Sequence, residues 1–195
     1  MKLVNYQKEF EKLLDRKYFS STINPIRKDA FTKFKLIGFP TQKCENWRFT
    51  NVSHLFEIFF SISDINDAPI DEIDCSKYSI DDLETIIIYN GHFQQEISSI
   101  PKGVELNSLL DYYNGQEFYP DPDNSPFDLL NTAFMDSGFS LIIPKGTQVD
   151  KPIRVLFVSN GQNSIMVNPR IHIKVESGSN ITFIEEYVGN AESFF

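Results

Sequence analysis

Apolar residues along this chain change period part-way through, from helical spacing to short strand-like runs. Near the N-terminus Leu3, Tyr6, Phe10, Leu13 and Leu14 recur at three- and four-residue steps, which predicts an amphipathic helix. A second helix is marked at both ends. Asn24 can cap, Pro25 suits the first helical position, Ile26, Ala30, Phe34 and Ile37 form an apolar stripe, and Gly38 with Pro40 stops it. Residues 41–55 read as extended and hold Trp47, whose size predicts a core anchor. Ile86-Ile87-Ile88-Tyr89 predicts a β-branched strand. Asn90-Gly91 tolerates two consecutive positive φ angles, so a tight hairpin to 93–97 follows. Val104, Leu106, Leu109, Leu110 and Tyr113 predict one short amphipathic helix. Ser125-Pro126 opens another through Phe127, Leu130 and Phe134, ending near Gly138.

From residue 139 onward the pattern is β. Apolar runs at 139–143, 153–158, 171–175 and 181–184 are separated by Pro144-Lys145-Gly146, Ser159-Asn160-Gly161, Asn168-Pro169 and Ser177-Gly178. Two of these turns share a form, Gly146-x-x-Val149 and Gly178-x-x-Ile181, at a separation of 178 − 146 = 32 residues. Short strands with glycine corners and no intervening helices fit a sandwich, a barrel or a parallel β-helix, and periodicity does not choose among them. The turn-forming run Asp121-Pro122-Asp123-Asn124-Ser125 marks a boundary. The expected organisation is a region at 1–125 of helices plus a small β-hairpin, and a mainly β region at 126–195.

Composition bounds the function. The 195 residues are 41% hydrophobic and 23% charged, as in soluble globular proteins. A net charge of −9 argues against a nucleic-acid surface, which needs clustered cations to release phosphate counterions. Between 61 and 84, Asp64, Asp67, Asp71, Glu72, Asp74, Asp81, Asp82 and Glu84 face the lone base Lys77. A solvated acidic loop is expected there, because the D-x-[DN]-x-[DN]-G pattern of a calcium loop is missing. No apolar run is long enough to span a membrane, and the opening residues mix charge into apolar positions, unlike a signal peptide, so a cytoplasmic protein is expected. Cys44 and Cys75 form no C-x-x-C pair and are expected as small core residues.

Familiar catalytic patterns are missing. The sequence contains no G-x-x-x-x-G-K-[ST], no G-x-G-x-x-G and no G-x-S-x-G. His54, His92 and His172 are far apart and have no partner at metal-ligand spacing. Glu185 and Glu186 fall on opposite faces of a strand and cannot act together on one bond. No residue is assigned as catalytic, cofactor-binding or metal-ligating, and the chain is expected not to be an enzyme.

Three segments carry a resemblance. Asn24-Pro25-Ile26-Arg27-Lys28-Asp29-Ala30, then Gly38-Phe39-Pro40-Thr41 and Glu45-Asn46-Trp47-Arg48-Phe49-Thr50-Asn51, resemble the N-terminal signature of the SufD branch of the SufB/SufD family, scaffolds of SUF iron–sulfur cluster assembly. Tyr89-Asn90-Gly91-His92-Phe93 resembles its glycine-turn hairpin. Phe127 with Asn131-Thr132-Ala133, Gly138, Pro144-Lys145-Gly146, Pro152, Asn168-Pro169-Arg170 and Glu185-Glu186-Tyr187 resemble the entry to its β core. The resemblance implies the beginning of a right-handed parallel β-helix, truncated after its first coils. It also implies pairing with a SufB-like subunit and a SufC-like ATPase, with no nucleic acid and no membrane. It further implies no cofactor in this chain, with a transient iron–sulfur cluster handled by the assembled complex. The family's ATPase-docking region and its cluster-linked histidine lie beyond the matched half, so His54, His92 and His172 inherit no role. An end cut through such a core, after Phe194 and Phe195, would be a template for joining another strand. The other readings are a β-helix carbohydrate-active protein, which would show a ladder of Asp, Arg or Lys along one sheet face, and a stand-alone interaction module acting through the acidic loop.

With no phosphate-binding loop and a repulsive net charge, the chain is expected to bind no nucleotide. Calorimetry with magnesium ATP should show no saturable heat. A micromolar site would overturn the assignment of ATP work to a partner.

Overall fold

The computed structural model describes residues 3–16, 23–65, 78, 80, 82–113, 125–160 and 164–189. Helices α1 (Val4–Asp15) and α2 (Ile23–Ile37) are followed by 3-10 turns at Glu45–Trp47 and Ser53–Phe56. Next come β1 (Ser61–Ile62), β2 (Glu84–Tyr89), β3 (His92–Phe93), a 3-10 turn at Gln95–Ile97, β4 (Glu105–Ser108), α3 (Leu109–Tyr113) and α4 (Pro126–Phe134). The chain then runs through β5 (Ser137–Ile143), β6 (Ile153–Ser159), β7 (Ile165–Met166), β8 (Pro169–Val175) and β9 (Phe183–Gly189).

The helical part is held by aromatic packing. Tyr6, Phe10 and Leu13 of α1, Ala30, Phe31 and Phe34 of α2, and Leu129, Leu130, Ala133 and Phe134 of α4 form one buried cluster. Phe10 stacks on Phe31 with ring centroids 4.2 Å apart, and Phe134 meets both edge-on at 5.6 and 5.7 Å. That stack turns the buried face of α2 away from the expected stripe. Ile23, Arg27, Ala30, Phe31 and Phe34 are inside, whereas Ile37 is exposed. The helix already includes Ile23, two residues ahead of the expected first position at Pro25, so Asn24 and Pro25 lie inside it, and Gly38 at φ +66° ends it with its N–H on the Phe34 carbonyl. For α4 the expected cap is present: Ser125 Oγ accepts the Asp128 N–H at 3.2 Å ahead of Pro126.

The strands form two ladders. In one the order is β3-β2-β6-β9, with β2, β6 and β9 mutually parallel and β3 antiparallel at the edge. In the other the order is β4-β5-β8, with β5 and β8 parallel and β4 antiparallel at the edge. A short parallel pair, β1 with β7, links the N-terminal part to the strands. The parallel offsets are nearly equal: Phe139 pairs with Ile171 (171 − 139 = 32) and Ile153 with Phe183 (183 − 153 = 30). The two glycine turns stack at the same spacing, with the Gly146 N–H on the Ser177 carbonyl at 3.1 Å and Gln148 bridged to Asn180. Between the ladders lies a second apolar core of Ile86, Ile88, Phe139, Leu141, Ile143, Ile153 and Val155.

Several expectations change. The helix expected over 104–113 is a strand in its first half, because the Leu106 and Asn107 backbones pair with Leu141 and Ser140 of β5. The hairpin turns as expected, with Asn90 at φ 46° and Gly91 at φ 86°, but β3 lasts two residues before the chain coils away. A Cβ on Gly91 would come within 2.7 Å of Val167 Cβ, so the turn needs glycine for space as well as for φ. Residues 41–55 hold two 3-10 turns rather than extended chain, and this surface path leaves Cys44 exposed instead of in the core. Trp47 is half-buried, tilted over Phe127 at 5.0 Å on the flank of the helical cluster. The last strand runs from 183 to 189 rather than from 181. Most of the acidic stretch with Cys75, the Asp121–Asn124 part of the boundary loop, Gly161, and Phe194 with Phe195 lie outside the described residues.

Burial ranks two substitutions. Phe34 is fully enclosed, so Phe34→Ala should cost about 3–5 kcal/mol. Trp47→Ala removes one flank contact and should cost about 1–2 kcal/mol. Urea unfolding of both variants is the check, and a larger loss at Trp47 would contradict the packing described.

Candidate functional site

The histidines raised by the sequence are spread over separate elements. His54 is exposed on a 3-10 turn. His92 in β3 is buried, with Nε2 3.1 Å from Ser63 Oγ. His172 in β8 stacks on Tyr112 at 4.6 Å, and burial, with Lys174 and Arg170 nearby, pulls its pKa below the usual histidine range. Among the described residues no group of three or more His, Cys, Asp or Glu could hold a metal ion.

A buried charged junction was not singled out by sequence reasoning. Arg16, at the end of α1, donates from Nη1 to Asp136 Oδ2 at 2.6 Å and from Nη2 to the Ser63 carbonyl at 2.7 Å. Arg27 is fully buried and donates from Nη2 to the Met135 carbonyl, just past the C-terminal end of α4, where a cation is favoured. Burial lowers the Arg27 pKa to about 10, against the pull of Asp136. Burial also lifts the Asp136 carboxyl above its ordinary range, opposed by His92, Arg16 and Arg27. Arg16, His92 and Asp136 line a cavity of about 180 Å3. These bonds clamp α1, α2 and the residue after β1 to the start of β5, and a buried pair of this kind has a structural use without further chemistry. The signal was present in Arg27, which sits in the Asn24–Ala30 motif on the apolar face of α2.

Where the ladders end, the structure is open. β8 and β9 are both edge strands on the same side of the stack, opposite the antiparallel edges β3 and β4. Alternation carries the inward rows onto them: Phe139–Ile171, Leu141–Ile173 and Ile143–Val175 in one ladder, and Ile153–Phe183, Val155–Glu185 and Phe157–Tyr187 in the other. Residues that are buried on β5 and β6 therefore have counterparts on β8 and β9 that face water. Ile173 is 38% exposed, Val175 47% and Tyr187 69%, although Tyr187 lies flat on Phe157 at 4.4 Å. A groove of about 520 Å3 opens between the ladders here, lined by Ile88, Phe157, Ile171, Glu185 and Tyr187 among others. Burial and the Glu185 carboxylate raise the Tyr187 pKa. On the outer face Glu186 is tied to Arg154, whose Nη1 donates to Oε2 at 3.0 Å, so the two glutamates point opposite ways as their spacing requires. Among the described residues no further strand pairs with these two edges.

Comparison with known proteins gives a family. Residues 2–155 match the family described as SufBD protein N-terminal region. A Synechocystis sp. protein named as an iron-sulfur cluster assembly SufBD family protein is 26% identical over 200 aligned positions, covering 92% of this chain and 43% of that protein. The chain thus spans less than half the length of this relative. Among the described residues no helix is long and apolar enough to cross a membrane.

The end of β9 tests how closely these strands must approach. A Cβ on Gly189 would sit 1.9 Å from the Ser159 carbonyl oxygen, whereas one on Gly178 meets nothing closer than 3.9 Å. Both glycines have positive φ, so each alanine variant carries backbone strain of about 1–3 kcal/mol. Gly189→Ala should lose more, with faster hydrogen exchange in β9. Equal losses for Gly189→Ala and Gly178→Ala in urea unfolding would contradict the close approach.

Proposed function

The chain belongs to the SufBD family, and from that premise we propose that it supplies the N-terminal region of a SufD-type scaffold subunit in iron–sulfur cluster assembly. On this reading it works in the cytoplasm and carries out no reaction of its own. It holds a β stack in place, pairs with a SufB-like subunit, and relies on a SufC-like ATPase for nucleotide chemistry. The iron–sulfur cluster is cargo of the assembly. The two ladders would be the first coils of a right-handed parallel β-helix, for which the near-equal 32- and 30-residue offsets and the stacked glycine turns are the support.

One observation carries the reading beyond family membership: the parallel ladders repeat at near-equal offsets of 32 and 30 residues, as stacked coils of one scaffold do. Preference for the SufD branch rests on the Trp47 segment, Glu45-Asn46-Trp47-Arg48-Phe49-Thr50-Asn51.

Native mass spectrometry tests the proposal. The tagged gene product carrying these residues is co-expressed with the SufB-like subunit and the SufC-like ATPase of the same genome. The expected result is one assembly containing all of them. Recovery of the tagged protein without either subunit would overturn the proposal.

A further inference from the structure

The cavity beside the charged junction combines an apolar wall with one underused acceptor. Its volume is about 180 Å3, and an apolar cavity of about 150 Å3 is enough to hold a benzene-sized molecule. Among the described residues the lining comes from the end of α1, the segment after β1, β3 and the 3-10 turn after it, the β4–α3 corner and the start of β5, with nothing from β8 or β9. Phe93, Leu109 and Leu110 supply the apolar wall. The hydroxyls on the lining are engaged: Ser108 Oγ donates to Asp111 Oδ2 at 2.6 Å, and Ser137 Oγ accepts the Phe93 N–H at 2.9 Å. The Arg16 guanidinium is engaged as well, by Asp136 and by the Ser63 carbonyl. Asp136 is different. Among the described residues its carboxylate accepts one hydrogen bond, from Arg16 Nη1, whereas an ionised carboxylate has room for about four. Its side chain is only 11% exposed. A carboxylate so placed is short of donors, and burial lifts its pKa accordingly.

We propose that this cavity is a binding site for a small uncharged molecule, about the size of a substituted benzene ring, that donates a hydrogen bond to Asp136 and lays an apolar body against Phe93, Leu109 and Leu110. The site goes beyond the scaffold reading and does not depend on it. Charge decides against ionic occupants. An anion would face the Asp136 carboxylate, and a cation would sit beside Arg16 and in the field of Arg27. Water alone serves the carboxylate but not the wall, because a water against Phe93, Leu109 and Leu110 finds too few polar partners there. A neutral donor with an apolar body serves both. Such an occupant touches β4 and α3 as well as the elements clamped by Arg16, so it stabilises the junction by binding the folded form alone.

Ligand-observed fluorine NMR is the test, on the gene product that carries these residues and on the chain itself. The probes are para-fluorophenol and para-fluorotoluene, which match in shape and differ in the donor, with para-fluorobenzoate and para-fluorobenzylamine as the charged pair. The phenol should bind saturably and roughly tenfold tighter than the toluene, as one hydrogen bond to a charged group allows, and both charged probes should bind more weakly than the phenol. Asp136→Asn should remove most of the difference between phenol and toluene. Leu110→Trp, which fills the cavity, should abolish binding of both. Urea unfolding shows whether each variant folds. Should Asp136→Asn not fold, the phenol-to-toluene ratio of the unaltered protein and the loss of binding in Leu110→Trp carry the decision. Equal affinity for phenol and toluene, tighter binding of a charged probe, or binding that survives Leu110→Trp would overturn the inference. So would the lack of saturable binding by any probe. If the chain binds the phenol and the gene product does not, the rest of that protein fills the cavity, and the inference falls as well.

Discussion

A parallel strand cannot bury its own inward side chains; only the next strand of the stack, together with the facing ladder, can do so. The β half of this protein follows from that constraint. Ile86 and Ile88 of β2 are enclosed because β6 lies beyond them, and Ile153 and Val155 of β6 because β9 does. Among the described residues no strand lies beyond β8 and β9, and there the same rows become Ile173, Val175 and Tyr187 facing water. Burial worth roughly 25 cal/mol per Å2 of apolar surface is thus withheld at one end. At the other end the antiparallel strands β3 and β4 turn the chain back and close both ladders.

The helices anchor this stack. Their aromatic cluster reaches the strands through Met166 of β7, which packs into the same core, and through the β1–β7 pair. Two arginines lock the junction: Arg27 on the Met135 carbonyl, and Arg16 on Asp136 and the Ser63 carbonyl. Removing a partner from such a buried pair typically costs about 3–5 kcal/mol, because a charge is left without compensation. The junction therefore fixes where β5 begins, and with it the register of everything stacked on β5.

Local signals in the sequence carried much of this architecture. The Ser125-Pro126 cap, the Asn90-Gly91 turn and the 32-residue repeat of glycine turns each encode backbone geometry within a few residues, and each appears as expected. What escaped was decided by partners distant in sequence. Leu106 fits a helical stripe equally well, and only β5 makes it a strand. Arg27 stands in the Asn24–Ala30 motif, but its burial is decided by the end of α4 beside it. Trp47 reads as a core anchor by its size, but the turns around it keep it on the flank of the cluster. Glu185 and Glu186 were correctly placed on opposite faces. Which of them faces the groove depends on the register with Val155, and no property of the pair itself reveals it.

The central claim, that each inward row is enclosed only by the strand stacked beyond it, is tested most directly by amide hydrogen exchange on the isolated chain. Slow exchange is expected at 139–142 and 153–158, which are paired on both sides, and faster exchange at 169–175 and 183–189, which are paired on one. Equal exchange in all four segments would contradict it.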